Sequence, residues 1–164
     1  MAGPALSAIL TVAAAGCPHA SAHPGQASIA AIDKATLCLL NAQRAAHGLP
    51  ALDENRRLDS ASLRHSRDMV RKRYFQHGDV VGRIRRSGYL RGAGSWGVGE
   101  NIAWGSGSYS TPASIVNLWM HSPGHRANIL SKSFRDIGIG VVRGAPRRGV
   151  AGAATYTTDF GFRG

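Results

Sequence analysis

Acidic residues are scarce in this chain of 164 residues. Nine Asp and Glu stand against 20 Lys and Arg, which gives a formal net charge of +11. This excess favours anionic partners, and we expect them to be cell-wall polymers or lipid head groups. We expect no nucleic acid partner, because no zinc-finger, helix-turn-helix or aromatic RNA-binding pattern accompanies the charge.

Long apolar runs are absent as well. The run at 5–15 is too short to span a membrane but resembles the hydrophobic part of a secretory signal peptide. Small residues permit cleavage after Ala15 or after Ala22. Residues 1–22 are therefore predicted to be a signal peptide and N-terminal loop, and the protein to be secreted or associated with the cell wall. A lipidated "AAGC" motif and a disordered Ala-rich tail are the alternatives.

Cysteine occurs only twice, at Cys17 and Cys38. Two cysteines in an exported protein favour a disulfide. Cleavage after Ala15 would retain Cys17 and allow it to pair with Cys38. Cleavage after Ala22 would leave Cys38 alone and buried.

Residues 28–164 are predicted to form one monomeric domain. Apolar residues with helical periodicity follow the N-caps Ser28 and Thr111. Alternating apolar residues at 136–143 and 153–161 predict an antiparallel hairpin. Helices followed by paired strands indicate an α+β layered fold. The predicted helices lie at 29–47, 52–75 and 112–121, with short helices at 82–87 and 125–130 and loop over the rest of 76–99.

Three residues that can bind a metal or move a proton lie beside glycines or turn residues. His77 follows "RYFQ" at the end of the second predicted helix, Glu100 follows a Gly-rich run in "GENIAWG", and His125 follows "SPG". They are too far apart for a local metal motif. From spacing alone, a solvated or capping role is the alternative for each. His65 lies on the apolar face of its helix and is expected to be a core residue.

Several blocks together carry a resemblance to a known family. In order they are "LLNAQRAAHGLPAL", "LRHSRDMVRKRYFQH", "GENIAWG", "LWMHSPGHRANIL" and "DIGIGVV" with "ATYTTDFG". This order resembles the CAP superfamily of cysteine-rich secretory, antigen 5 and pathogenesis-related 1 proteins, in its bacterial secreted branch. The resemblance covers about 35–161. It implies an α-β-α sandwich, with helices on both faces of a small antiparallel sheet.

The resemblance also implies a cavity lined by two histidines and two acidic residues. His77, Glu100 and His125 match three of these, while Ser122 stands where the second acidic residue is usual. Ser122 and Asn101 are expected at the cavity edge, although a structural role in backbone hydrogen bonds is favoured for Asn101. Glu100 is expected to face the imidazoles, either as a third ligand or as a base behind the ligands. The implied cofactor is a weakly held, exchangeable Zn²⁺ or another divalent metal.

Three functions follow from these observations. The first is a non-catalytic extracellular domain that binds a lipid, a sterol-like ligand or a divalent metal, as the resemblance implies. The second is a hydrolase that uses Glu100, Ser122 and His125 or a metal-bound water, although no G-x-S-x-G motif is present. The third is a basic wall-associated protein, because 56–91 carries eleven Lys or Arg against three Asp. We expect the binding domain rather than the enzyme; the basic stretch could also be a merely solvated face.

Overall fold

The computed structural model describes residues 16–164, so the apolar run of the predicted signal peptide lies outside the described residues. Within 16–164, five α-helices surround a four-stranded sheet. None of these helices is long and apolar enough to cross a bilayer. The helices are α1 Ile29–Ala46, α2 Arg56–Lys72, α3 Val80–Arg86, α4 Pro112–Met120 and α5 Pro123–Ile129. The strands are β1 Asp53–Glu54, β2 Trp96–Ser106, β3 Asp136–Arg143 and β4 Ala153–Arg163.

The sheet has the strand order β1-β3-β4-β2. The predicted hairpin is confirmed as β3 and β4, and β2 pairs with β4 in antiparallel register. The two-residue β1 pairs with β3 in parallel, so the sheet is mixed rather than wholly antiparallel. The second predicted helix begins later than expected, because Asp53 and Glu54 are extended and the Asn55 side chain caps α2. The stretch expected as loop includes the start of β2.

Helices cover both faces of the sheet, as the α-β-α sandwich requires. Ile137, Ile139 and Val141 of β3 join the main apolar core with residues of α1 and α4. The glycines that alternate with them, Gly138 and Gly140, face α2 instead. Because side chains alternate along a strand, α1 and α4 lie on one face and α2 on the other.

The contact between α2 and β3 is unusually close. A Cβ atom added to Gly138 or Gly140 would lie 2.0 or 2.2 Å from backbone atoms of α2. Small residues on α2 use this proximity: Ser62 Oγ donates to the Gly138 carbonyl (3.1 Å) and Ser66 Oγ to the Gly140 carbonyl (2.8 Å). The glycines therefore set the distance between helix and sheet.

A buried arginine connects α1 to the end of α5. Arg44 is fully buried, and its Nη1 donates to the carbonyls of Ile129 (2.8 Å) and Ser131 (2.9 Å). Burial lowers the pKa of its guanidinium, with a further contribution from nearby Arg135. Hydrogen bonds to carbonyl oxygens satisfy this buried group and hold α5, which carries part of the candidate site, in place.

The N-terminal described segment, residues 16–28 before α1, is bonded to the rest of the domain. Cys17 and Cys38 form the predicted disulfide, with their Cα atoms 5.7 Å apart. The backbone N–H of Ala113 donates to the Ala20 carbonyl (2.9 Å), which joins the same segment to α4. Of the two predicted cleavage positions, only the one after Ala15 would preserve this disulfide; the cleavage position itself stays a prediction.

Candidate functional site

His77, Glu100 and His125 lie together in the structure. His77 Nδ1 is 2.8 Å from Glu100 Oε1, and the centroids of the His77 and His125 rings are 6.4 Å apart. Glu100 lies within β2 rather than at a helix or turn cap, and it is buried. The His77 side chain is 50% exposed, so solvent reaches the site from the side of the imidazoles.

Two neighbouring residues fix the positions of the histidines. His65 Nε2 bonds to the Gln76 carbonyl (3.0 Å) and holds the loop after α2 that carries His77. Asn101 Nδ2 donates to the His125 carbonyl (3.1 Å). Asn101 is fully buried, so it supports the site from behind rather than at the cavity edge, in the structural role favoured from the sequence.

The sequence interpretation missed two cationic or ionisable neighbours of Glu100. Arg83 of α3 forms an ion pair with Glu100 Oε2. His65 Nε2 lies 3.8 Å from the same oxygen. His65 is buried, as expected of a core residue, but it is also part of the site. Arg83 was counted only among the basic residues of its segment.

Asp159 of β4 supplies a second acidic group. It stands directly opposite Glu100 in the β2–β4 ladder and is fully buried. Ser62 Oγ of α2 lies 2.8 Å from Asp159 Oδ2, so its single hydroxyl hydrogen is shared between this oxygen and the Gly138 carbonyl. Burial raises the pKa of both carboxyls, and the negative charge of Glu100 raises that of Asp159 further, while Arg83 acts in the opposite direction. Two buried carboxyls in contact favour a state in which they share one proton.

Burial also affects the three imidazoles. It lowers the pKa of His77 and His125, and it lowers the pKa of His65 to about 4. The positive charge of Arg83 adds to this effect at His65 and His77. All three rings are therefore neutral near pH 7, and a neutral imidazole is the form that can bind a metal.

The donor atoms of this site fit a divalent metal through the imidazoles rather than through Glu100. Glu100 uses one carboxylate oxygen on His77 and the other on Arg83. Over residues 16–164, no group of three or more His, Cys, Asp or Glu is arranged to hold a metal ion. The two imidazoles fit the metal better: a carboxylate on Nδ1 of a histidine leaves Nε2 as the free donor, which is a common pattern at metal sites. Glu100 thus fits the role behind a ligand rather than that of a third ligand.

Ser122, His125 and Glu100 do not form the hydrogen-bonded relay that a serine hydrolase would need. Ser122 precedes α5 and makes no side-chain capping hydrogen bond. Within the described part of the chain, the Nδ1 atom of His125 has no hydrogen-bond partner, and Glu100 contacts His77 rather than His125. A nucleophile–histidine–acid relay needs hydrogen bonds between its members.

Comparisons with known proteins agree with this fold. A family model described as the cysteine-rich secretory protein family, CAP, matches residues 37–158. The chain is 37% identical over 120 residues to the uncharacterised protein YkwD of Bacillus subtilis and 31% identical over 116 residues to its uncharacterised membrane protein YlbC. These alignments cover 70% and 68% of this chain but only 44% and 32% of the relatives.

Solved structures show the same similarity. An extracellular SCP-domain protein from Bacillus anthracis superposes with a TM-score of 0.62 at 29% identity, covering 76% of this chain and 38% of that one. An outer surface protein from Borrelia burgdorferi gives a TM-score of 0.61 at 18% identity, covering 76% of this chain and 87% of that one. The second match shows only a shared fold.

Proposed function

Because this chain belongs to the cysteine-rich secretory protein (CAP) family, we propose that it is an extracellular binding domain that holds a divalent transition metal, such as Zn²⁺, between His77 and His125. One structural neighbour, the SCP-domain protein from Bacillus anthracis, is described as extracellular, which supports the location. The metal would act as a Lewis acid for an incoming ligand atom. The chain spans less than half the length of the curated relatives it matches, so other domains could contribute to their activities.

The hydrogen bond between His77 and Glu100 is the observation that carries the proposal. It orients an otherwise exposed imidazole toward His125 and favours the tautomer with a free Nε2. Arg83 holds the Glu100 carboxylate from the opposite side. With only two imidazoles as protein ligands, the metal would bind weakly and exchange readily.

Calorimetric titration with Zn²⁺ tests the metal site. We expect His77→Ala and His125→Ala each to weaken Zn²⁺ binding at least about tenfold, since each removes one of two ligands. His121→Ala is the matched control, because His121 is exposed and its ring bonds, among residues 16–164, only to the Asn117 carbonyl of the preceding helix α4. Binding should decrease as the pH falls below about 6, because protonated imidazole cannot bind a metal. Unchanged affinity in both single variants would refute the site.

The arginines of α2 favour a second function, attachment to an anionic cell-wall polymer. Arg57, Arg64, Arg67 and Arg71, here called the α2 arginine stripe, are all exposed. Their spacings of three, four and seven residues place them on one face of the helix, over a length of about 21 Å. Arg71 is paired with Asp68, Arg57 Nη1 donates to the Gly88 carbonyl (3.1 Å), and Arg64 and Arg67 form no ion pair with another described residue. Such a row suits a linear chain of phosphates.

Binding to inorganic polyphosphate provides a test of the stripe. We expect Arg64→Gln/Arg67→Gln to weaken binding at least about threefold in about 50 mM salt, with the difference shrinking in about 500 mM salt because exposed charges are screened. Arg147→Gln/Arg148→Gln removes the same charge from the exposed loop between β3 and β4 and should have a smaller effect. Equal losses in both double variants would mean that net charge, rather than the stripe, binds the polymer.

The remaining functions stay predictions from the sequence. A lipid or sterol-like ligand rests on the resemblance to the family alone. Hydrolysis through Ser122 would need a rearrangement that brings its hydroxyl to His125, because their side chains form no hydrogen bond in the described structure.

A further inference from the structure

A cavity of about 440 Å³ lies at the other end of the sheet from the histidines. It is formed by the N-terminal described segment, the turn after β2 and the ends of β3 and β4. Glu100 pairs with Asp159 in the β2–β4 ladder, whereas Ser106 pairs with Ala153, which lines the cavity. Six residues along a strand correspond to about 20 Å, so the cavity and the His77 site are separate.

Hydrogen bonds hold the walls of this cavity together. Arg143 Nε donates to the Pro24 carbonyl (2.6 Å), which joins the N-terminal segment to the end of β3. The Gly107 N–H donates to the Gly152 carbonyl (3.1 Å), which closes the opposite side. The Cys17–Cys38 disulfide anchors the N-terminal segment further along. The cavity is thus formed before any ligand arrives, as ligand sites usually are.

Glycines expose the backbone to the cavity. Gly107 and Gly152 have φ values of +55° and +61°, a conformation that favours glycine. A Cβ atom added at Gly107 would meet no atom within 4 Å, so the space beside it is open. A ligand can therefore approach the main chain closely there.

Every charged side chain in the wall segments is basic. The segments 16–32, 105–111 and 143–154 contain no Asp or Glu, but they carry Arg143, Arg147 and Arg148. Arg143 lines the cavity and uses Nε and Nη2 on the carbonyls of Pro24 and Ala27, which leaves further N–H groups for a ligand. These segments therefore create a positive potential at the cavity.

The rest of the wall is mainly apolar, with one unused polar atom. Pro24, Val150 and Ala153 contribute apolar atoms. His23 also lines the cavity, and its buried Nδ1 atom has no hydrogen-bond partner among the described residues. A buried polar atom without a partner is costly and is usually satisfied by a ligand or water.

From these observations we propose that the cavity binds a small organic anion, a carboxylate or phosphate attached to a short apolar chain. Arg143 pairs with the anionic group through its free N–H groups, and His23 Nδ1 forms a hydrogen bond with the same ligand. The apolar chain lies against Val150 and Ala153. A guanidinium matches carboxylate and phosphate equally well, so the shared anionic head defines the ligand class.

Calorimetry and amide chemical-shift changes with four probes test this site. Octanoate and octyl phosphate represent the two anionic heads, octylamine reverses the charge, and acetate lacks the chain. We expect octanoate, octyl phosphate or both to bind and to shift the amide signals of Gly107 and Gly152, while octylamine and acetate bind at least about tenfold more weakly. Which anion binds more tightly identifies the head group. Failure of both anions to bind, or equal binding of octylamine, would overturn the proposal.

Matched variants separate the cavity from the general charge. Arg143→Gln should weaken binding of the anion at least about tenfold, whereas Arg64→Gln, with the same charge change at an exposed residue of α2 outside the wall segments, should change it less than about twofold. Equal losses would overturn the proposal. If Arg143→Gln unfolds the N-terminal segment, Val150→Trp decides instead: it keeps all charges but fills the cavity, and unchanged binding in that variant would overturn the site.

Discussion

Replacing Gly140 by alanine is expected to destabilise the protein by about 3 kcal/mol or more, since the overlap is with backbone rather than a movable side chain. The new Cβ atom would lie 2.2 Å from the Leu63 backbone nitrogen of α2. Relieving this overlap would require α2 to move away from β3. That movement would break the hydrogen bonds from Ser62 and Ser66 to the β3 carbonyls. Urea unfolding of parent and variant measures the loss.

Gly124→Ala is the matched control for this prediction. Gly124 lies in α5, and a Cβ atom added there would meet no atom within 4 Å. Because alanine is the better helix former, this variant should be neutral or more stable by up to about 1 kcal/mol. The prediction is wrong if the free energy of unfolding of Gly140→Ala lies within about 0.5 kcal/mol of the parent's value. In that case the close contact between α2 and β3 does not hold the sandwich together.

The sequence predicted the hairpin but not the reason for its glycines. Alternating Ile137, Ile139 and Val141 indicated a strand with one buried face, and the structure has that strand. The other face of β3 is buried too, under α2. Gly138 and Gly140 could not be assigned to a close contact, because that assignment depends on which residues of α2 lie opposite them. The serines of α2 that make the contact are spaced by four residues, a weak signal without the fold.

Prediction of the site depended on the resemblance to a family rather than on residue spacing. His77, Glu100 and His125 are distant in sequence, and the resemblance brought them together. Asp159 was missed because its position follows from the register between β2 and β4, and β2 was not predicted from its Gly-rich beginning. The available signal was a carboxylate within an otherwise uncharged alternating strand, "ATYTTDFGF".

The close packing of α2 also determines the chemistry of the site. Ser62 bonds both to the Gly138 carbonyl and to Asp159. Three residues further along α2, His65 reaches Glu100 and the loop that carries His77. A change in the distance between α2 and β3 would therefore alter the environment of Glu100 and Asp159. The glycines of β3 act on the site as well as on stability.

The metal-free protein should lose stability as the pH rises above about 6.5. A buried carboxyl with a raised pKa binds its proton more tightly in the folded state, so its contribution to stability is lost as the pH rises through that pKa. Burial raises the pKa of Glu100, Asp159 and Asp33, the last to about 7. The histidines act in the opposite sense. Burial lowers their pKa, so they reduce stability only below their ordinary pKa of about 6.5.

Asp159→Asn tests this origin of the pH dependence. Asparagine keeps the shape of the side chain but removes one of two carboxyls that repel each other when both are ionised. At about pH 8.5 the variant should be more stable than the parent by about 1–3 kcal/mol, and its stability should fall less steeply between about pH 6.5 and 8.5. Urea unfolding in the presence of a chelator measures both.

The control is Asp53→Asn, at an exposed carboxylate of β1, which should follow the parent at every pH. If Asp159→Asn keeps the parent's slope or is less stable at the higher pH, then Glu100 and Asp159 do not share a proton, and Arg83 alone balances both charges.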